Sequence, residues 1–176
     1  MNLPTQITVV RFLGIPLILG LLMHPTPIHR WIATAIFLIA ASTDWVDGYL
    51  ARQLDQVTDL GKFLDPLVDK LLILCPLLAL IELGEVPAWG VALILTRELT
   101  IAGWRVSATF QSQSVPGANL WGKLKTVIQM AAVVGLLAPL PDPWQLPVLS
   151  LFWLAVVVTG ISGVLYLRSP ITAKSP

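Results

Sequence analysis

Six of the ten acidic residues lie in one stretch of the chain: Asp44, Asp47, Asp55, Asp59, Asp65 and Asp69. Asp44 and Asp47 are three residues apart, and Asp65 and Asp69 are four apart. On a helix either spacing sets two carboxylates on one face. Like charges at that spacing repel, and beside hydrocarbon they cost more still. The arrangement therefore calls for a cation. Arg52, Lys62 and Lys70 are near enough to supply part of it. A divalent ion supplies it better. Oxygen-only ligation, with no His or thiolate, suits Mg²⁺, Mn²⁺ or Ca²⁺ and argues against Zn²⁺ or Cu²⁺. Two such helix pairs face to face would hold one ion, or two about 4 Å apart, as phosphoryl-transfer sites do. Gly48 follows Asp47, and Gly61 stands four residues before Asp65. A missing side chain lets a ligand or a backbone come close. Ala51-Arg52 lies one turn beyond Asp47, pairing a small residue with a guanidinium able to grip a phosphate through two donors. The plainer alternative is a solvated interface. In either case Asp65-Pro66 reads as a helix N-cap followed by proline at the first helical position. The density of paired aspartates and the regular glycines favour the metal site.

The elements that must position these residues are apolar. The chain has 176 residues, one domain by the usual scale of roughly 150 residues. Hydrophobic residues make up 56% and charged residues 12%, about half the charge of an average soluble protein. Mean hydropathy is +0.80. Such a composition excludes disorder and leaves too little charge to cover a soluble globule. An all-α integral membrane protein is the remaining class. A net charge of +1 gives no basic excess of the kind nucleic-acid partners require. The single Cys75 excludes an intrachain disulfide framework and a cysteine zinc site.

Transmembrane helices need about 20 mostly apolar residues. Six stretches qualify as candidates: Ile7–Met23, Trp31–Tyr49, Leu67–Leu83, Pro87–Ala108, Thr126–Ala138 and Leu146–Leu167. The first and fifth are short. The breaks between spans carry turn chemistry, as in His24-Pro25-Thr26-Pro27, Gly84-Glu85-Val86-Pro87 and Pro116-Gly117-Ala118-Asn119. The N-terminus lacks a basic n-region and a cleavage site, so no leader peptide is expected. Six crossings put both termini on one side. Ten of the eleven Lys and Arg residues then fall on that side, and Arg30 alone falls on the other. The positive-inside rule makes the basic side cytoplasmic. The aspartate cluster lies there too. Trp31, Trp89 and Trp144 mark the outer boundary as an aromatic belt would, and His24 and His29 read as interfacial residues beside it.

At the aspartates the sequence resembles the CDP-alcohol phosphatidyltransferase family. That family's pattern is D-x2-D-G-x2-A-R-x8-G-x3-D-x3-D, and Asp44, Asp47-Gly48, Ala51-Arg52, Gly61, Asp65 and Asp69 match it with every gap correct. The resemblance implies one membrane domain over residues 1–176, with six transmembrane helices, a homodimer, and an active site at the cytoplasmic surface of the plasma membrane. It implies two divalent cations, Mg or Mn, held by Asp44, Asp47, Asp65 and Asp69. Asp69 would be the general base. Gly48, Ala51, Arg52 and Gly61 would frame the CDP moiety of CDP-diacylglycerol.

The signature specifies the donor and leaves the acceptor alcohol open. A phosphorylated acceptor needs positive charge beside the metals, and the cytoplasmic side offers Arg11, Arg97, Arg105, Lys123 and Lys125. Arg97 and Arg105 are eight residues apart, about two turns, and share a helix face. Arginine inside a span is expensive and is a functional candidate for that reason. Structural alternatives are ion pairing for Arg97 and Arg105, snorkelling for Arg11, and positive-inside anchoring for Lys123 and Lys125. Glu98 would hold an arginine in place. Further pieces resemble the branch of the family that takes glycerol 3-phosphate: Asn2-Leu3-Pro4 with Thr8 and Arg11, Phe63-Leu64-Asp65-Pro66, Arg97-Glu98 with Arg105, and Gly122-Lys123-Leu124-Lys125-Thr126 with Gln129. By that resemblance the acceptor phosphate would lie among Thr8, Arg11, Arg105, Lys123 and Lys125, with Arg97 a weaker member. The reaction implied joins the 1-hydroxyl of glycerol 3-phosphate to the phosphatidyl group and releases CMP. Rival readings are the same fold with phosphatidylglycerol or serine as acceptor, a divalent-cation transporter, and an inactive lipid-binding protein. Transport would set the acidic residues near the bilayer midplane, whereas here they cluster at the cytoplasmic end.

Overall fold

The computed structural model describes the backbone of residues 3–54, 59–110, 113–114, 120–168 and 172–173, and the side chains of 8–43, 66–104 and 122–166. Six helices account for nearly all of it: α1 (Leu3–Leu22), α2 (Pro27–Leu54), α3 (Asp59–Glu82), α4 (Ala88–Phe110), α5 (Leu120–Leu137) and α6 (Gln145–Arg168). A 3₁₀ turn at Asp142–Trp144 leads into α6. Gln113 and Ser114 pair antiparallel with Ala173 and Thr172.

Each expected span corresponds to one helix. At the Arg30 end, five of the six boundaries agree within a residue; at the other end α2, α3 and α5 run on by five, eight and six residues. A helix does not stop where its side chains become polar, because its backbone is satisfied internally and the charged heads reach water. The aspartate stretch is therefore largely helical. One expectation is corrected here: Asp65 is not an N-cap, since α3 begins at Asp59 and Pro66 lies inside it. The proline forgoes one backbone hydrogen bond.

The helices α1, α2 and α3 pack on one another, α6 packs on α4 and α5, and α5 also meets α2 and α3. Ile18, Phe37, Leu80, Leu137 and Phe152, from five different helices, are completely or almost completely buried in a common core. Outward, large apolar side chains stand exposed on every helix, among them Leu17, Ile39, Leu78, Leu93, Val127 and Val157. Among the described residues one continuous stretch, Asp142–Tyr166, is long and apolar enough to cross a membrane, and Thr8–Leu22 is a shorter apolar helix. The six crossings expected from the sequence thus appear here as six helices, of which α6 meets that criterion.

At one end of the bundle Arg30 ties three elements together. Just past the end of α3, Gly84 adopts the left-handed conformation with φ 73°. The Gly84 N–H donates to the Ile81 carbonyl at 2.9 Å and the Glu85 N–H to that of Leu80 at 3.0 Å, the pairing that caps a helix through a left-handed glycine. This turn delivers Glu85 to Arg30, whose two terminal nitrogens donate to the carboxylate at 2.6 and 2.7 Å. Arg30 also donates to the Leu136 and Leu137 carbonyls at the end of α5, at 2.7 and 3.2 Å. Arg30→Ala should lower the melting temperature in detergent by several degrees. The loss is about 2 kcal/mol, kept modest because the pair is partly exposed. Turnover by the folded variant should stay near wild type, and an unchanged melt would show that the clamp adds nothing.

Candidate active site

The opposite end of the bundle gathers the buried charges. Arg11, Glu98 and Lys125 are each at least nine-tenths buried. A cavity of about 250 Å³ opens between α3, α4 and α5, and its polar lining includes Asp69, Lys70, Arg97, Glu98, Lys125 and Gln129. Three cations against two carboxylates leave it net positive, which suits an anion.

Asp69 enters from α3, one turn after Asp65 on the same helix. Its side chain is 40% exposed, while Arg11 behind it on α1 is 1% exposed and donates from Nη1 to Asp69 Oδ1 at 2.9 Å. Burying a guanidinium at this depth is costly without such a partner. Arg11 does not line the cavity; it holds the aspartate that does. Thr8, one turn earlier on α1, is buried and also lies outside the lining.

On the far wall, α4 presents Arg97 and Glu98 and α5 presents Lys125. Lys125 Nζ and Arg97 Nη1 both donate to Glu98 Oε1, the arginine at 3.2 Å. Arg97 Nη2 donates to Ser162 Oγ of α6 at 2.9 Å. The arginine stem lies so close to α6 that a Cβ at Gly163 would come within 2.9 Å of Arg97 Cγ. Below them Gln129 Nε2 donates to Thr159 Oγ1 at 2.8 Å, joining α5 to α6.

The structure thus brings together Asp69, Arg97 and Lys125 at one cavity and sets Arg11 against Asp69. Lys123 is exposed and stands outside the lining. The side chains of Asp44, Asp47, Gly48, Ala51, Arg52, Gly61, Asp65 and Arg105 lie outside the described residues. Sequence reasoning missed the part played by Ser162 and Gly163. Within Gly160-Ile161-Ser162-Gly163, Ser162 and Gly163 turn inward to Arg97, while Gly160 and Ile161 stay exposed. Nothing in the spacing signals this, because the partners are 65 residues apart.

Among the described residues no three His, Cys, Asp or Glu side chains converge as a metal centre. Asp44 lies ten residues before the end of α2 and Asp47 seven; Asp65 lies six residues into α3 and Asp69 ten. The helices α2 and α3 are in contact. A half-exposed carboxylate at a cavity edge, in an all-oxygen set, fits a hard divalent cation.

The model of the family described as CDP-alcohol phosphatidyltransferase matches residues 1–161. The chain belongs to the CDP-alcohol phosphatidyltransferase family. A curated CDP-diacylglycerol–glycerol-3-phosphate 3-phosphatidyltransferase of Bacillus subtilis is 39% identical to it over 178 aligned positions, covering 92% of this chain and 91% of the relative. Relatives of the same name from Pseudomonas fluorescens and Haemophilus influenzae are 38% and 34% identical, covering 96% and 95% of this chain and 90% and 92% of their own. The family match runs through every helix that lines the cavity and into α6 as far as Ile161.

Proposed function

We propose that this phosphatidyltransferase moves the phosphatidyl group of CDP-diacylglycerol to the 1-hydroxyl of sn-glycerol 3-phosphate, giving phosphatidylglycerophosphate and CMP. The observation that carries the reading is the cavity in which Asp69 faces Arg97 and Lys125. A proton acceptor and an anion-holding pair share one small space. The relatives' names supply the substrates for the proposal.

Asp44, Asp47, Asp65 and Asp69 would hold two divalent cations, Mg or Mn, which when bound neutralise charge on the phosphoryl oxygens and on departing CMP. Gly48, Ala51, Arg52 and Gly61 would frame the CDP moiety. Arg97 and Lys125, with Arg105, hold the acceptor by its phosphate, a role for which paired cations in a half-enclosed cavity are suited. This positions the 1-hydroxyl oxygen for in-line attack on the phosphorus that carries diacylglycerol. A new P–O bond forms, the pyrophosphate P–O bond breaks, and CMP leaves with the electron pair. Asp69 takes the hydroxyl proton. Arg11 keeps that carboxylate turned toward the cavity.

The protein is proposed to be a multi-pass plasma-membrane domain over residues 1–176, active as a homodimer, with both termini and the active site on the cytoplasmic side. Exposed apolar side chains around all six helices support lipid on every flank. The charge bias of the loops supports the orientation.

The test is CMP release in detergent. Release should need CDP-diacylglycerol, glycerol 3-phosphate and Mg²⁺ or Mn²⁺ together, and EDTA should abolish it. Release with serine or phosphatidylglycerol in place of glycerol 3-phosphate would keep the fold and donor and reassign the basic wall. Release that persists in EDTA would remove the metal site.

A further inference from the structure

We propose that Glu98 is the positioning residue of the acceptor subsite, and that α6 is its anchor. The inference rests on the reaction proposed above. Its carboxylate is buried, yet it belongs to neither the aspartate signature nor the set of cations that meets a phosphate. One oxygen of it receives both Lys125 Nζ from α5 and Arg97 Nη1 from α4. Two cations this close repel strongly where water is scarce. The carboxylate between them cancels that repulsion, leaves the trio at net +1, and sets the two donors side by side. Arg97 is tethered in turn from behind. Ser162 accepts its second terminal nitrogen, and the bare Cα of Gly163 gives room to its stem.

The geometry has a consequence for selectivity. Cations held ready do not have to be ordered when the acceptor arrives, so their full strength goes into binding a phosphate. Glu98 itself touches no reacting atom. It determines how well a phosphorylated alcohol is held, and it leaves the donor and the chemical step alone. Removing its charge should therefore be felt in the acceptor KM. A merely structural residue would move the stability of the protein and both substrates together.

The experiment is Glu98→Gln in the full chain in detergent, with steady-state kinetics for both substrates and thermal melts with and without glycerol 3-phosphate. The glycerol 3-phosphate KM should rise about tenfold, the loss of one charge-assisted contact. The CDP-diacylglycerol KM should stay within about twofold, and the melting-temperature gain given by a fixed concentration of glycerol 3-phosphate should shrink by about half or more. An unchanged acceptor KM overturns the proposal. So does a uniform fall in kcat, in both affinities and in the unliganded melting temperature. If E98Q does not fold, Ser162→Ala carries the test: it should raise the acceptor KM about threefold with the donor unmoved, and no change overturns the anchoring. A wild-type protein that neither releases CMP nor melts higher with glycerol 3-phosphate overturns the functional reading, and this proposal with it. A wild type that does both while the variants match it overturns this proposal alone.

Discussion

Asp69→Asn should leave a folded protein that binds CDP-diacylglycerol and hardly turns over. The expected fall in kcat is roughly 10³-fold, in the range that loss of a general base produces. The amide is the same size as the carboxylate. The side chain is 40% exposed at the cavity edge, so the amide fits there; loss of the charge that faces the buried Arg11 should lower the melting temperature by several degrees while the bundle stays folded. On the proposed mechanism, the loss is that of a place for the hydroxyl proton and of one oxygen that would ligate the divalent cations. CDP-diacylglycerol binding, measured by retention on the purified protein, should remain within about threefold. Activity within tenfold of wild type would remove Asp69 from the base role and move attention to the other three aspartates.

Arg11 offers the second large effect, and it separates two roles. As an acceptor ligand it would act on glycerol 3-phosphate binding. The ion pair at 2.9 Å with Asp69 points to a different task, holding the proposed base. Arg11→Met keeps much of the buried stem while removing the charge. It should reduce kcat by about 10²-fold with a smaller change in the acceptor KM, and Arg11→Lys should recover part of that loss. The double variant Arg11→Met with Asp69→Asn decides the matter. If Arg11 works through Asp69, adding its loss to Asp69→Asn costs little more, and the two effects fall well short of additive. Full additivity, or a raised acceptor KM with kcat intact, would return Arg11 to the acceptor phosphate.

The two ends of the bundle spend their charges differently. At the Arg30 end a single guanidinium closes a turn and caps a helix, and its partners are a carboxylate and two backbone carbonyls. At the other end Asp69, Arg97, Glu98 and Lys125 from three helices line a cavity, and Arg11 from a fourth stands behind Asp69. Membrane interiors tolerate such groups only in pairs or facing a polar space. Both conditions are met where a phosphate would enter.

The membrane class, the six helices, the family and the spacing of the aspartate signature were all legible in the order of residues. These rest on local rules. Apolar run length sets a helix, a turn residue ends it, and a fixed gap between carboxylates sets them on one face whatever the rest of the chain does. Asp44 through Asp69 were legible for that reason, and so was Arg30 as the odd cation out. The tertiary structure alone decided how the basic residues divide. Arg11, Arg97, Lys123 and Lys125 look alike in one dimension. In three, Arg11 is sealed against Asp69, Arg97 and Lys125 share Glu98, and Lys123 faces outward. Where a long side chain ends depends on which helices cross beside it, and a crossing is a property of packing between distant segments. The same reason hid Ser162 and Gly163: only the contact of α6 with α4 turns a small apolar-helix motif into the seat of an arginine.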